Sequence, residues 1–344
     1  MKRTFASDNY AGMHPDVLAA LGEANEGHAI SYGDDPWTAR FRELVRRELG
    51  EQARGFPVFN GTGANVLAVE ALTRPWEAVI CAPGAHLNVD EGGAPERAGR
   101  KLLVAGDEHG RLSVEAIARV AVRVGDEHAV QPKVVSVTQS TELGTVYSPD
   151  LVAEIATFCH ERGMLVHMDG ARLANAAAAL DLPLGALTTD CGVDALSFGA
   201  TKNGAAGAEA VVLLRDDLGE GMAWLRKQSM QLASKMRFLS AQLVALFEDD
   251  LWRRNAAHAN AMAARLAAAV ADHVEIAHPV EANGVFAVVP CAATAHLQRD
   301  WRFYVWDEEA DVVRWLCSWD TTTEDVDAFA AAVRDAVGAP AARS

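Results

Sequence analysis

The sequence is short of lysine and cysteine, has no cationic excess and contains no long apolar run. Five cysteines (Cys81, Cys159, Cys191, Cys291 and Cys317) lie scattered, odd in number and without C-x-x-C spacing. That argues against a disulfide framework or a zinc site and leaves reduced core thiols in a cytoplasmic protein as the expectation. The opening MKRTFASDNYAG lacks the apolar stretch of a secretory leader, and no segment approaches the ~18 apolar residues of a membrane span. Lysine and arginine number 31 against 47 aspartates and glutamates, a net charge of −16. A chain this acidic is not expected to bind nucleic acid or an anionic membrane surface. No internal repeat or low-complexity linker interrupts it, only Ala-rich helical stretches toward the C-terminus.

What is present is ordinary globular material. Half of the 344 residues are apolar and 23% are charged, enough to bury one large core and a smaller one. The patterning changes near Asp249, so the expected division is an N-terminal arm (1–14), a large domain (15–248) and a small C-terminal domain (249–344).

The organising stretch is Leu165 to Gly204. Two apolar strand candidates, Met164–Met168 and Ala195–Gly199, are followed by polar residues that strand packing does not require: Asp169 with Arg172, and Lys202 with Asn203-Gly204. Ligands of open α/β sheets sit beyond the carboxyl ends of the strands, which sends all three charged side chains to one crevice. An acid, a lysine and an arginine there match the needs of pyridoxal phosphate. The lysine forms a Schiff base with the aldehyde, the carboxylate holds the pyridinium proton, and the arginine clamps an amino-acid carboxylate. Only six lysines occur, at 2, 101, 133, 202, 227 and 235, and Lys202 alone follows a buried strand in a small-residue loop.

Other stretches are compatible with the same rim. Ser7-Asp8 reads as a turn or cap before a helix opening at His14-Pro15. Tyr32-Gly33-Asp34-Asp35-Pro36 is a turn before the amphipathic helix Trp37–Leu49. Phe56 to Asn65 runs from a short strand through Gly61-Thr62-Gly63 into a helix from about Ala64, a place for a lone phosphate on a helix end or a plain strand–helix turn. Val66 stands where a dinucleotide fingerprint needs glycine, and no P-loop lysine follows. His86 follows strand Ala78–Cys81, where an imidazole stacks on a flat ring, handles a proton or is simply structural. Strand Val134–Thr138 ends in a polar loop, Gln139 to Thr145. With helix Pro149–Glu161 and strand Met164–Met168 it makes a strand–helix–strand unit, so the sheet is expected to be mostly parallel. Strand Ala210–Leu214 follows. Gln228–Arg237, with Lys235 and Arg237, is either a phosphate contact or an ordinary helix face. The small domain is expected as α+β: helix Leu251–Ala271, strands Glu281–Pro290, Phe303–Trp306 and Val312–Ser318, and helix Thr323–Val337. Arg314, inside the last strand, either alternates to solvent or points into the cleft.

These stretches, in order and over nearly the whole chain from Ala6 to about Asp327, resemble the low-specificity L-threonine aldolases, a group that includes L-phenylserine aldolases. The specific matches are Tyr32-Gly33-Asp34-Asp35 and His167-Met168-Asp169-Gly170-Ala171-Arg172; the Gly-Thr turn alone is weak. The resemblance implies a fold-type I pyridoxal phosphate enzyme, a homotetramer of dimers whose sites use both subunits. It implies that Lys202 holds the cofactor, Asp169 meets the pyridine nitrogen and His86 stacks on the ring. Gly61 and Thr62 then match the phosphate cradle, with Thr201 and Arg172 among the cofactor contacts. Ser7, Tyr32, Arg172 and Arg314 match the substrate side. Many relatives carry Asn-Thr-His where this sequence reads Ser140-Thr141-Glu142, so the base for the substrate hydroxyl does not carry over. His86, directly or through water, and Glu142 are the candidates, with stacking expected to be His86's larger contribution. The expected activity is cleavage of β-hydroxy-α-amino acids to glycine and an aldehyde. The rivals are a β-eliminating lyase or aminotransferase of the same fold, an NAD-dependent oxidoreductase weakened by Val66, and a non-catalytic binder that two arginines make improbable.

Overall fold

A computed structural model describes residues 4–338; positions 1–3 of the arm and 339–344 of the C-terminal segment lie outside the described residues. Seven strands form the main sheet: β1 (Arg54–Val58), β2 (Glu77–Cys81), β3 (Lys101–Val104), β4 (Gln131–Thr138), β5 (Leu165–Gly170), β6 (Ala195–Gly199) and β7 (Glu209–Leu213). Their spatial order is β1-β7-β6-β5-β4-β2-β3. The five strands from β6 to β3 are parallel, whereas β7 runs antiparallel to both β6 and β1. Helices cover both faces, so β6 and β7 are almost continuously apolar and buried, the composition expected of strands without a solvent face.

Strand boundaries differ from the expected ones in a way that matters for the site. β5 continues to Gly170, so Asp169 is the penultimate strand residue and pairs in register with Thr138 and Ser197. The helix after β1 begins at Gly61 rather than near Ala64, because Asn60 caps it by accepting a 2.7 Å hydrogen bond from Gly63 N–H.

A second, antiparallel sheet is made of β8 (Glu275–Ile276), β9 (Gly284–Val288), β10 (Tyr304–Asp307) and β11 (Val312–Leu316), in the order β8-β9-β11-β10. It packs on the closing helix Thr323–Gly338 through a separate core that contains Val285, Trp315 and Phe329. The expected strands Glu281–Pro290 and Val312–Ser318 are thus present in shortened form. β8, two residues long, has no counterpart in the sequence reading. The helix Leu251–Val270 joins the two cores: Leu251, Trp252 and Ala256 belong to the large one, Met262, Ala263, Leu266 and Val270 to the small one.

The arm is sewn to the small sheet rather than lying loose. Phe5 N–H donates to Arg302 C=O at 3.0 Å and Phe5 C=O accepts from Leu316 N–H at 2.8 Å. Its ring stacks on Phe329, with centroids 4.4 Å apart. Burial of this side chain contributes about 2–3 kcal/mol.

Candidate active site

The carboxyl ends of β5 and β6 open on a cavity of about 370 Å³ whose wall includes Gly61, Thr62, His86, Asp169, Thr201 and Lys202. Lys202 sits in a single 3₁₀ turn, Thr201–Asn203, that ends on Gly204 at φ +109. A Cβ there would lie 3.0 Å from His14 Cβ and 3.1 Å from Asn255 Nδ2, so both backbone angle and space demand glycine. Among the described residues, no hydrogen bond or ion pair engages the Lys202 ammonium. Burial, and then the positive charge of Arg172, hold its pKa below the usual lysine value. An amine shifted in that direction is a better nucleophile near neutral pH.

Asp169 is buried, with Oδ1 accepting from Ala171 N–H at 3.0 Å and Oδ2 from Asn65 Nδ2 at 2.8 Å. Asn65 Nδ2 also donates to Glu91 Oε1 at 3.0 Å, and that oxygen lies 2.7 Å from His86 Nδ1. The Glu91 hydrogen bond raises the His86 pKa, against burial, which lowers it. At the phosphate-cradle candidate, the space beside Gly61 is open and Gly61 and Thr62 line the cavity; their N–H groups have no partner among the described residues, whereas Gly63 N–H is taken by Asn60. Gly63 serves packing instead. The Gln231 amide lies 2.5 Å from where its Cβ would be, and Gln231 Oε1 accepts from Phe59 N–H at 2.9 Å.

Arg172 and Arg314 approach from different sheets and feel each other's charge, and neither belongs to the cavity wall that carries Asp169 and Lys202. Arg172 is gripped along one edge by Asp8, Nε to Oδ2 at 2.6 Å and Nη2 to Oδ1 at 2.9 Å. Burial pushes the Asp8 carboxyl up, but Arg172 brings it below the usual carboxylate value. Asn283 Nδ2 donates to the same carboxylate at 3.1 Å. Arg314 lies over Tyr304 and Trp306, 5.4 and 4.9 Å from their ring centroids, and its buried Nε has no protein partner. Its neighbours Val313 and Trp315 point into the small core, which turns Arg314 to the opposite face of the sheet.

The remaining candidates are placed differently. Ser7 is a cap: its Oγ accepts from Asn9 N–H at 3.2 Å, and Asn9 rather than Ser7 lines the cavity. Glu142 does not line the cavity either. Its Oε1 accepts from His86 N–H and Thr138 Oγ1, both at 2.9 Å, and burial followed by the charge of Asp169 pushes its pKa up to about 7. Tyr32 is half exposed away from the cavity, at φ +62, with the Lys227 ammonium 5.3 Å from its ring centroid. Lys235 is exposed, and Arg237 donates to the backbone at Glu26 and Gly27. Three residues had no role in the sequence reading. These are Asn65 and Glu91, and Glu209, whose buried carboxylate accepts from Ala200 N–H at 2.8 Å and from Thr201 beside Lys202. Asn65 and Glu209 share a visible but unspecific signal, a polar side chain on an otherwise apolar element next to a strand end, whereas Glu91 lies in the turn Asp90–Gly93 and had none. No cluster of metal-ligating side chains occurs among the described residues.

A mostly parallel sheet with a small α+β domain and a lysine beyond the strand ends is the fold-type I architecture of pyridoxal phosphate enzymes. The chain belongs to the beta-eliminating lyase family, which matches residues 4–292. Over 340 residues it is 46% identical to a low specificity L-threonine aldolase of Pseudomonas aeruginosa, covering 97% of this chain and 98% of that one. A low specificity L-threonine aldolase of another Pseudomonas strain has the same identity and coverage. The solved threonine aldolase of Leishmania major superposes with a TM-score of 0.92 at 31% identity, covering 97% of this chain and 99% of that one. A Sphingomonas wittichii serine palmitoyltransferase has a TM-score of 0.73 at 14% identity over 98% and 88% of the two chains, a likeness of fold alone.

Proposed function

We propose that the protein is a pyridoxal phosphate-dependent L-threonine aldolase of low specificity. It cleaves L-threonine, L-allo-threonine and related β-hydroxy-α-amino acids, L-phenylserine included, to glycine and an aldehyde. The observation that carries the cofactor reading is a half-buried Lys202, without a hydrogen-bond or ion-pair partner among the described residues, on the same cavity wall as Asp169. The near full-length likeness to enzymes of that name selects aldol cleavage among the reactions such a site supports.

The residues present fit the group: an unpartnered amine to hold its aldehyde, open space beside Gly61 for its phosphate, and Asp169 for its ring nitrogen. When bound, pyridoxal phosphate supplies the electron sink for the pair left at Cα. Asp169 favours a protonated ring nitrogen through its negative charge. Asp8 occupies the Nε–Nη2 edge of Arg172 and leaves Nη1 for the substrate carboxylate, with the Arg314 guanidinium as the second grip. Two guanidinium groups held from separate sheets fix the amino-acid end and so select which Cα bond is broken. These grips fall on the carboxylate and amine, and few fixed contacts remain for the group on Cβ, in keeping with broad tolerance there.

The reading extends to a homotetramer of dimers in the cytoplasm. Ile30, Tyr32, Trp224 and Met230 are all more than half exposed in the single chain, and apolar exposure of this kind suits a face between subunits. Light scattering tests the assembly. The activity is tested by incubation with L-threonine and with L-phenylserine. Glycine with acetaldehyde or benzaldehyde is expected; ammonia and a keto acid, or cofactor trapped in its amine form, would refute it.

A further inference from the structure

One carboxylate at the site has no part in this chemistry so far. Glu91 is fully buried and absent from the cavity wall, so it cannot meet substrate itself. Its Oε1 is shared by two neighbours, His86 Nδ1 at 2.7 Å and Asn65 Nδ2 at 3.0 Å, and Asn65 Nδ2 also donates to Asp169 Oδ2 at 2.8 Å. Asn65 thus spends its amide hydrogens on two carboxylates. An ionised carboxylate only accepts, so the ring nitrogen facing Glu91 carries hydrogen, and a neutral imidazole then has its lone pair on the other nitrogen. That nitrogen, Nε2, has no partner among the described residues, and the ring is 38% exposed on the cavity wall.

We propose that Glu91 is the positioning residue of the base: it fixes His86 as the Nδ1–H tautomer, so that Nε2 accepts the proton of the substrate β-hydroxyl. The proposal rests on the aldolase reading above. The O–H bond breaks as Nε2–H forms, and the oxygen's electron pair makes the aldehyde carbonyl. The Cα–Cβ pair stays with Cα and takes up a proton to give glycine, while His86 gives its proton back, so no proton is gained or lost overall. Glu91 then faces an imidazolium with a negative charge, as the carboxylate of a nucleophilic triad does. Stacking uses the face of the His86 ring and proton acceptance its edge, so the two roles coexist.

The other charges acting on the ring are Asp169, which raises its pKa, and Lys202, which lowers it; Glu142 holds the His86 backbone N–H. Glu142 is thereby left as a second positioning group, not a base.

The test begins on the wild-type holoenzyme, where ¹⁵N–¹H correlation spectra should show His86 hydrogen on Nδ1. A neutral Nε2–H ring overturns the proposal without any variant. Glu91→Gln keeps size and an acceptor oxygen but removes the charge. It should lower the His86 pKa, because the negative charge that favours the imidazolium is gone, and move the acidic limb of kcat/KM to lower pH. It should also reduce kcat roughly ten- to a hundredfold, part of the 10²–10⁴ that general-base catalysis supplies, with cofactor absorbance unchanged. In a His86→Phe background the same substitution should lower kcat far less than in the wild type, because the proton-accepting role of Glu91 runs through the ring and only its contact with Asn65 is left to lose. An unchanged His86 titration in Glu91→Gln, or losses that add in the double variant, overturns the proposal. A wild-type enzyme that yields no glycine from L-threonine overturns the aldolase reading instead, and the tautomer measurement still judges the hold of Glu91 on the ring.

Discussion

Replacing Glu142 by glutamine should make the protein more stable, and only in one pH range. The carboxyl is buried and sits near Asp169, with a pKa raised from 4.5 to about 7. In the unfolded chain it ionises near 4.3, so between these values the folded state holds a proton that the unfolded state has lost. Stability therefore falls as pH rises through this interval. At 1.36 kcal/mol per pH unit, the ionised carboxylate works against folding by about 4 kcal/mol once the pH exceeds 7. Glutamine resembles the protonated acid in shape, and its carbonyl can accept from His86 N–H and Thr138 Oγ1 as Glu142 Oε1 does, each at 2.9 Å. Glu142→Gln should thus be stabilised by about 4 kcal/mol at pH 8 and be nearly neutral below pH 4.5. The assay is urea unfolding of the apoprotein, which keeps the cofactor's own charge out of the balance, at a fixed protein concentration because assembly adds to stability. A variant no more stable than wild type at pH 8, or a gain that does not shrink toward pH 5, would refute the reasoning.

Other perturbations report on separate parts of the site. Borohydride reduction followed by peptide mapping should place the pyridoxyl label on Lys202; a label on any other lysine removes it from its role. Arg314→Ala should raise the apparent KM by a factor equivalent to roughly 2–5 kcal/mol, the cost of truncating one partner of a buried charge pair, with cofactor absorbance intact; unchanged KM would count against the clamp. Asp8→Ala should destabilise by about 3 kcal/mol, the low end for breaking a buried ion pair, because the Arg172 side chain retains 15% exposure. The depressed Asp8 pKa means that its contribution is present above pH 4 and lost as pH falls through the folded value, so the variant and wild type should converge in acid. Urea midpoints at pH 3 and pH 7 check both the size and the sign.

What the sequence disclosed and what it hid divide along distance in the chain. That Asp169 and Lys202 share one cavity was legible because each follows a short apolar run and belongs to a local pattern, His167 to Arg172 in one case and a small-residue loop in the other. Strand-end chemistry is a local property, and periodicity reaches that far. The partner of Arg172 is 164 positions away, and nothing local distinguishes Asp8 from an ordinary cap residue. The Asn65–Glu91–His86 connection was missed for the same reason: its members lie in separate stretches of the chain, with no spacing rule to join them. Arg314 was left between two directions because alternation supplies a face but not its surroundings; the aromatic pair Tyr304 and Trp306 decides it. Glu142 was a candidate base on position alone, and burial is what turns it away from the cavity.

The stitching of Phe5 to Arg302 and Leu316 has a consequence for how the protein comes into being. The first described residues of the chain are held by some of the last, roughly three hundred positions later. A ribosome adding 5–20 residues per second needs on the order of tens of seconds to make that length. During that time Asp8 has no Arg172 in place for its early part, and no Asn283 for longer still. The large sheet can assemble while the arm waits at the surface of the nascent chain. The proposed substrate clamp, which draws on the arm, the large sheet and the small sheet at once, is therefore among the last features to form. A chain cut short before Leu316 would retain the lysine proposed to hold the cofactor and lack the contacts of the arm with the small sheet.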